Sequence, residues 1–169
     1  MARGFIRGTH HLTFCVGGAQ EDYDFHVRLL GLKSVKKTVL FDGELPVYHL
    51  YYGNGLGDPS TLLTAFPYRH VGWMGKRGTN QAKCLNLSVP ADSVGFWADR
   101  LSEHGVEHER GERFGTERLY FRHPCGIEYA IVGEGQPTTG SRTRVRASTR
   151  STRSAARTGP RPRSASPTR

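Results

Sequence analysis

The feature that most constrains this chain is a pattern it carries twice. The run His11-Leu12-Thr13-Phe14-Cys15-Val16 is followed by a helical stretch that Gly31 ends, and Cys84-Leu85-Asn86-Leu87-Ser88-Val89 is followed by another that Gly105 ends. The second copy starts 73 residues after the first, and each copy continues through three strand-like runs. A unit of this length, present only twice, is not a solenoid repeat. Two units of strand, helix and three strands, each able to make a small sheet backed by its helix, are the content of one α+β domain. The pattern therefore predicts two βαβββ modules whose curved mixed sheets surround a cleft.

In the first copy, Ala19, Tyr23, Val27 and Leu30 fall at helical spacing after Gly17-Gly18. Acidic residues crowd the first turn, where the helix dipole favours them. Gly31 reads as a left-handed C-terminal cap. Residues 32–41 read as a strand, Asp42-Gly43 as a hairpin turn, 47–52 as the return strand and 61–66 as the fourth. In the second copy Val94, Trp97, Ala98 and Leu101 share a helical face. Strands follow at 107–114, 119–122 and 127–132, with His123-Pro124-Cys125-Gly126 as a turn. The predicted organisation is one domain over 1–135, with module one at 8–66, a connector at 67–80 and module two at 81–135. The connector is long for an idle link, as binding segments often are.

Composition matters chiefly at the end of the chain. Residues 136–169 hold nine of the 24 basic residues, no acidic residue and no aromatic. Such a segment buries too little apolar surface to offset the entropy of ordering it, and is read as disordered. It is either a basic arm for phosphates or sequence without selected structure, of the kind high-GC DNA yields out of frame. The remaining 15 basic residues balance all 15 acidic ones. The domain itself thus carries no electrostatic case for nucleic acid, which is not an expected partner. No apolar run is long enough for a membrane span and no signal segment is evident, so a cytoplasmic protein with no membrane partner is expected. The three cysteines show no CxxC spacing, and free thiols are expected.

Candidate site residues are few. His11 stands at the mouth of the first strand, where an imidazole can either ligate a metal or bond a carbonyl. His10, its neighbour, is expected to face the opposite side. His49 lies in the aromatic strand VYHLYY, either packed or turned toward a flat aromatic ligand. Glu128 opens the last strand, either as a ligand or as one half of an ion pair.

These segments together resemble the vicinal oxygen chelate superfamily of glyoxalase I, bleomycin-resistance proteins and extradiol dioxygenases. More closely, HHLTFCVGGAQEDYDFHVRLLGLKSVKKTVLFDG, VYHLYYGN and FRHPCGIEYAIVGEG are similar to the N-terminal half of ring-cleaving hydroquinone dioxygenases, the group that includes 2,6-dichlorohydroquinone 1,2-dioxygenase. The resemblance runs from Thr9 to Glu134. It implies an Fe(II) held by two His and one Glu, with open positions for a hydroquinone- or catechol-type aromatic and dioxygen. By the same resemblance His11 is the N-terminal ligand, and the remaining ligands come from a second half of comparable length. Cys84 stands where module two would repeat His11. Glu128 is the carboxylate nearest to the superfamily pattern, although that pattern sets its glutamate at the place of Ala130. The expectation is an Fe(II)-dependent ring-cleaving dioxygenase in shortened form, with an incomplete metal site and activity that could require a homodimer. The alternative is a metal-free small-molecule binder of the bleomycin-resistance type.

Overall fold

A computed structural model describes residues 9–41, 43–76 and 78–134. Asp42 of the expected hairpin turn and the whole 136–169 tail lie outside the described residues. In chain order the elements are β1 (His11–Val16), α1 (Ala19–Tyr23) running into a π-helix (Asp24–Leu29), β2 (Lys33–Phe41), β3 (Pro46–Gly53) and β4 (Leu62–Pro67), then β5 (Cys84–Pro90), α2 (Val94–Glu103), β6 (His108–Arg113), β7 (Thr116–Arg122) and β8 (Glu128–Glu134). They form two four-stranded mixed sheets, ordered β1-β4-β3-β2 and β5-β8-β7-β6. The repeat in the sequence is thus a repeat in topology. In each sheet the first strand runs parallel to the last, and the other pairs are antiparallel.

Alternation along the strands sorts side chains into two faces. On β3, Leu50 and Tyr52 are buried in the core while His49 and Tyr51 point the other way. On β7, Leu119 and Phe121 face inward, joined on β8 by Tyr129 and Ile131. The helices cover these apolar faces. Phe25, Leu29 and Leu30 of module one share one buried cluster with Trp97, Leu101, Phe121 and Tyr129 of module two. Each such side chain removed from water contributes about 1.5–3 kcal/mol, so a core spanning both modules outweighs any single surface contact. Arg100 of α2 also reaches across, its Nε and Nη2 donating at 2.6 Å to the carbonyls of Leu29 and Arg28. Those carbonyls close the π-helix, where no intrahelical donor remains for them.

Two glycines are demanded by geometry. Gly31 has φ +69° and ends the first helix as expected. A Cβ on Gly133 would lie 2.7 Å from Val94 Cγ2 and 3.3 Å from the Ala91 Cα, so only glycine lets β8 approach the start of α2 this closely.

The first helix departs from the regular helix the spacing predicts. From Asp24 it widens into π geometry, and the Leu30 amide donates to the Phe25 carbonyl five residues back at 3.1 Å. Leu30 is buried as the spacing predicts, and Asp22, Phe25, His26 and Leu29 are buried with it, whereas Ala19, Tyr23 and Val27 only border the core. Among the described residues, no helix is long and apolar enough to cross a membrane.

Candidate functional site

His11, Thr13 and Cys15 project from β1 on the face away from the helices. Thr13 pairs with Thr64, and Thr64 with Tyr51, so three strands bring their side chains into one row. The Thr13 and Thr64 hydroxyls lie 2.8 Å apart and fix that row. His11 is exposed there. His10 does not face the opposite side. It precedes the strand, where alternation does not yet hold, and its Nδ1 sits 3.0 Å from His11 Nδ1.

His49 belongs to the same face. Its ring stacks on Phe66 and leans on Tyr51, both with centroids 4.1 Å away, and its Nδ1 is 2.7 Å from the Tyr51 hydroxyl. Burial lowers the His49 pKa, and the charges of His11 and Lys36 push it the same way. The ring is therefore neutral near pH 7, with one nitrogen protonated. Its Nε2 is buried without a hydrogen-bond partner, a polar atom aimed at something the strand itself does not provide.

Glu128 lies in the other module. It pairs in register with Cys84 and sits 3.5 Å from Arg122. Burial and the Glu128 charge raise the Cys84 thiol pKa. The structure thus sets His11 and His49 on one face, His11 level with Leu62 and His49 level with Phe66 four residues further along β4, and leaves Glu128 on a separate sheet. One His on an open face is a single ligand, and the described residues do not by themselves fit the facial triad that Fe(II) requires.

The described residues do bring one group of three donors within 4.8 Å of one another, and it is Asp22, His26 and His123. All three are buried, with Asp22 and His26 at 0% exposure. Asp22 Oδ1 lies 3.3 Å from His26 Nδ1 and 3.2 Å from His123 Nε2, while Oδ2 accepts from the Tyr52 hydroxyl at 2.6 Å. These spacings would suit a small metal ion, but the hydrogen bonds commit the rings elsewhere. His26 Nδ1 faces the Asp22 carbonyl at 2.9 Å and must donate to it, which leaves Nε2 to accept from Tyr129 at 2.8 Å. His123 Nδ1 accepts from the Cys125 amide at 3.1 Å, so its proton is on Nε2, toward Asp22. The group is a buried polar lock joining the modules rather than a set of free metal ligands.

Its electrostatics follow from that arrangement. Burial pushes the Asp22 carboxyl upward, but His123, His26 and Tyr52 together hold it well below the usual carboxylate range. Burial also opposes charge on His123, yet its contacts with Asp22 and Cys125 outweigh this and raise its pKa. Burial and the bond to Asp22 push the Tyr52 phenol far up. The sequence reading missed these residues because their partners are about a hundred positions apart. The local signal was the Asp22/His26 spacing of four on a helix, which is common without such a role.

Two sheets of this order, each with its helix, define the vicinal oxygen chelate fold. Solved structures share it at low identity: glyoxalase I of Leishmania major matches with TM-score 0.60 and 18% identity over 76% of this chain and 88% of its own. The fosfomycin resistance protein FosX of Listeria monocytogenes matches with TM-score 0.57 and 14% identity over 78% of this chain and 95% of its own. No family model matches the chain. Within the fold, the chain is similar in sequence to proteins named as hydroquinone and ring-cleaving dioxygenases. It is 44% identical over 129 residues to chlorohydroquinone/hydroquinone 1,2-dioxygenase of Sphingobium indicum, covering 75% of this chain and 40% of that protein. It is 40% identical over 138 residues to MhqO of Bacillus subtilis, assigned as a ring-cleaving dioxygenase, covering 78% and 42%. A Bacillus subtilis structure assigned as a dioxygenase aligns with TM-score 0.68 and 39% identity over 77% of this chain and 41% of its own. The chain spans about two-fifths of the length of these relatives.

Proposed function

We propose that this chain supplies one half of an Fe(II)-dependent ring-cleaving dioxygenase site for hydroquinone-like or catechol-like aromatics. The observation that carries the reading is the open face of β1, β3 and β4, which carries His11 at one end and the packed rings of His49, Phe66 and Tyr51 further along. His11 would offer one metal ligand. The packed rings of His49, Phe66 and Tyr51 would give the phenol ring an aromatic surface to rest against. The remaining His and Glu ligands would come from another polypeptide unit, a second copy of this chain or a complementing half. Glu128 would contribute only if Arg122 released it.

The homologues named as hydroquinone and ring-cleaving dioxygenases support the chemistry. The test is complementation under anaerobic loading with Fe(II), followed by oxygen uptake with hydroquinone. The chain alone should bind iron weakly and consume no oxygen. Mixed with the C-terminal half of the Sphingobium relative, it should consume oxygen, and His11→Ala should abolish that uptake. Silence in the mixture, under conditions where the relative's own N-terminal half restores activity, would refute the proposal. Tight hydroquinone binding by metal-free protein, unchanged in His11→Ala, would favour the metal-free binder instead.

A further inference from the structure

The turn between β7 and β8 carries a second constellation, unrelated to the His11 face. Cys125 is exposed, and its Sγ lies 2.8 Å from His123 Nδ1. His123 is 2% exposed, and its Nε2 faces Asp22 Oδ1 at 3.2 Å. The turn holds the thiol against the ring, because the His123 amide donates to the Ile127 carbonyl at 2.9 Å and the Gly126 amide to the His123 carbonyl at 2.7 Å. A thiol, an imidazole within reach of its proton and a carboxylate behind the imidazole are the parts of an activated nucleophile. Both Asp22 Oδ1 and His123 Nε2 are buried and lack an aligned hydrogen-bond partner. Protonation of the ring would tighten that contact into a charged pair.

We propose that Cys125 is a nucleophilic thiol, with His123 as its base and Asp22 as the positioning residue, that is covalently modified by electrophiles of the quinone class. The choice of electrophile rests on the proposed function, since quinones are the two-electron oxidation products of hydroquinones. The activation of the thiol does not rest on it. In the step, the Cys125 proton passes to His123 Nδ1, which gives up its 3.1 Å hydrogen bond from the Cys125 amide, and the sulfur pair forms a bond to a ring carbon of the quinone. The ring double bond shifts to a carbonyl oxygen, which takes the proton from the imidazolium. Loss of the proton from the substituted carbon to solvent, with protonation of the second oxygen, restores the aromatic ring as a hydroquinone thioether. The addition needs no other oxidant or reductant.

The chain contains its own comparators. Cys15 is also exposed, on β1 opposite Phe66. Cys84 is partly buried, and burial and Glu128 raise its pKa. The experiment treats the metal-free full chain with limiting p-benzoquinone, and separately with iodoacetamide, and follows each cysteine by peptide mass spectrometry. Cys125 should react about tenfold faster than Cys15 with both reagents, and Cys84 most slowly. In His123→Asn, the side-chain oxygen can still accept the Cys125 amide but cannot take the thiol proton. The Cys125 rate should fall about tenfold there, with Cys15 unchanged and slow Cys84 reporting an intact sheet. Equal rates at Cys125 and Cys15 in the unmodified chain would overturn the activated thiol, whether or not the variant folds. Selectivity with iodoacetamide but not with benzoquinone would overturn the quinone assignment. Because no iron or oxygen takes part, failure here is separable from failure of the dioxygenase reading.

Discussion

Asp22 is a carboxylate without solvent contact, ringed by two imidazoles and a phenol. Asp22→Ala would leave those three groups buried with an acceptor missing. The cost should be about 3–5 kcal/mol, the range for breaking a buried polar pair from one side, read as a lower urea midpoint. Its pKa is depressed, so its share of stability is fully present above the unfolded value near 3.8 and is lost as pH falls through the lower folded value. The His123 pKa is raised, so its share is fully present below the unfolded value near 6.5 and is lost as pH rises through the higher folded value. The urea midpoint should therefore peak between these limits. His123→Asn should flatten the alkaline side of that profile and leave a plateau above neutrality.

Among the elements, the strands and the second helix were legible, the latter through Val94, Trp97, Ala98 and Leu101, while the π geometry of the first helix was not. Alternation in VYHLYY marks β3 and its two faces, and the hairpin pattern marks β7 and β8. The π-helix carries no such mark, since its five-residue hydrogen bond has the same composition as a regular turn. Half of the candidate site was readable for the same reason. His11 and His49 sit on strands whose faces the pattern decides. Asp22, His26 and His123 owe their burial to the packing of the first helix against a turn from the other module. Gly133 tests how tightly these elements fit. Gly133→Ala places a methyl against Val94 and the Ala91 backbone, and should lower stability by about 1–3 kcal/mol by overpacking, measured as a reduced thermal midpoint.

At the scale of the molecule, the shared core and the Asp22–His123, His26–Tyr129 and Arg100–Leu29 contacts bind the two modules into one unit. Unfolding should then be a single transition. In Trp73→Phe, where Trp73 is exposed and replaceable, fluorescence of the buried Trp97 in module two should change together with the circular dichroism of both sheets. Two separated transitions would show that the modules melt independently. The wiring of Asp22 also bears on how such a chain can change over generations. The negative charge sits in module one with two of its partners, His26 and Tyr52, while the third, His123, comes from module two. A lineage that dropped module two would keep the charge and lose one of the imidazoles that hold it, so shedding half of the chain carries a penalty that replacing Asp22 beforehand would remove.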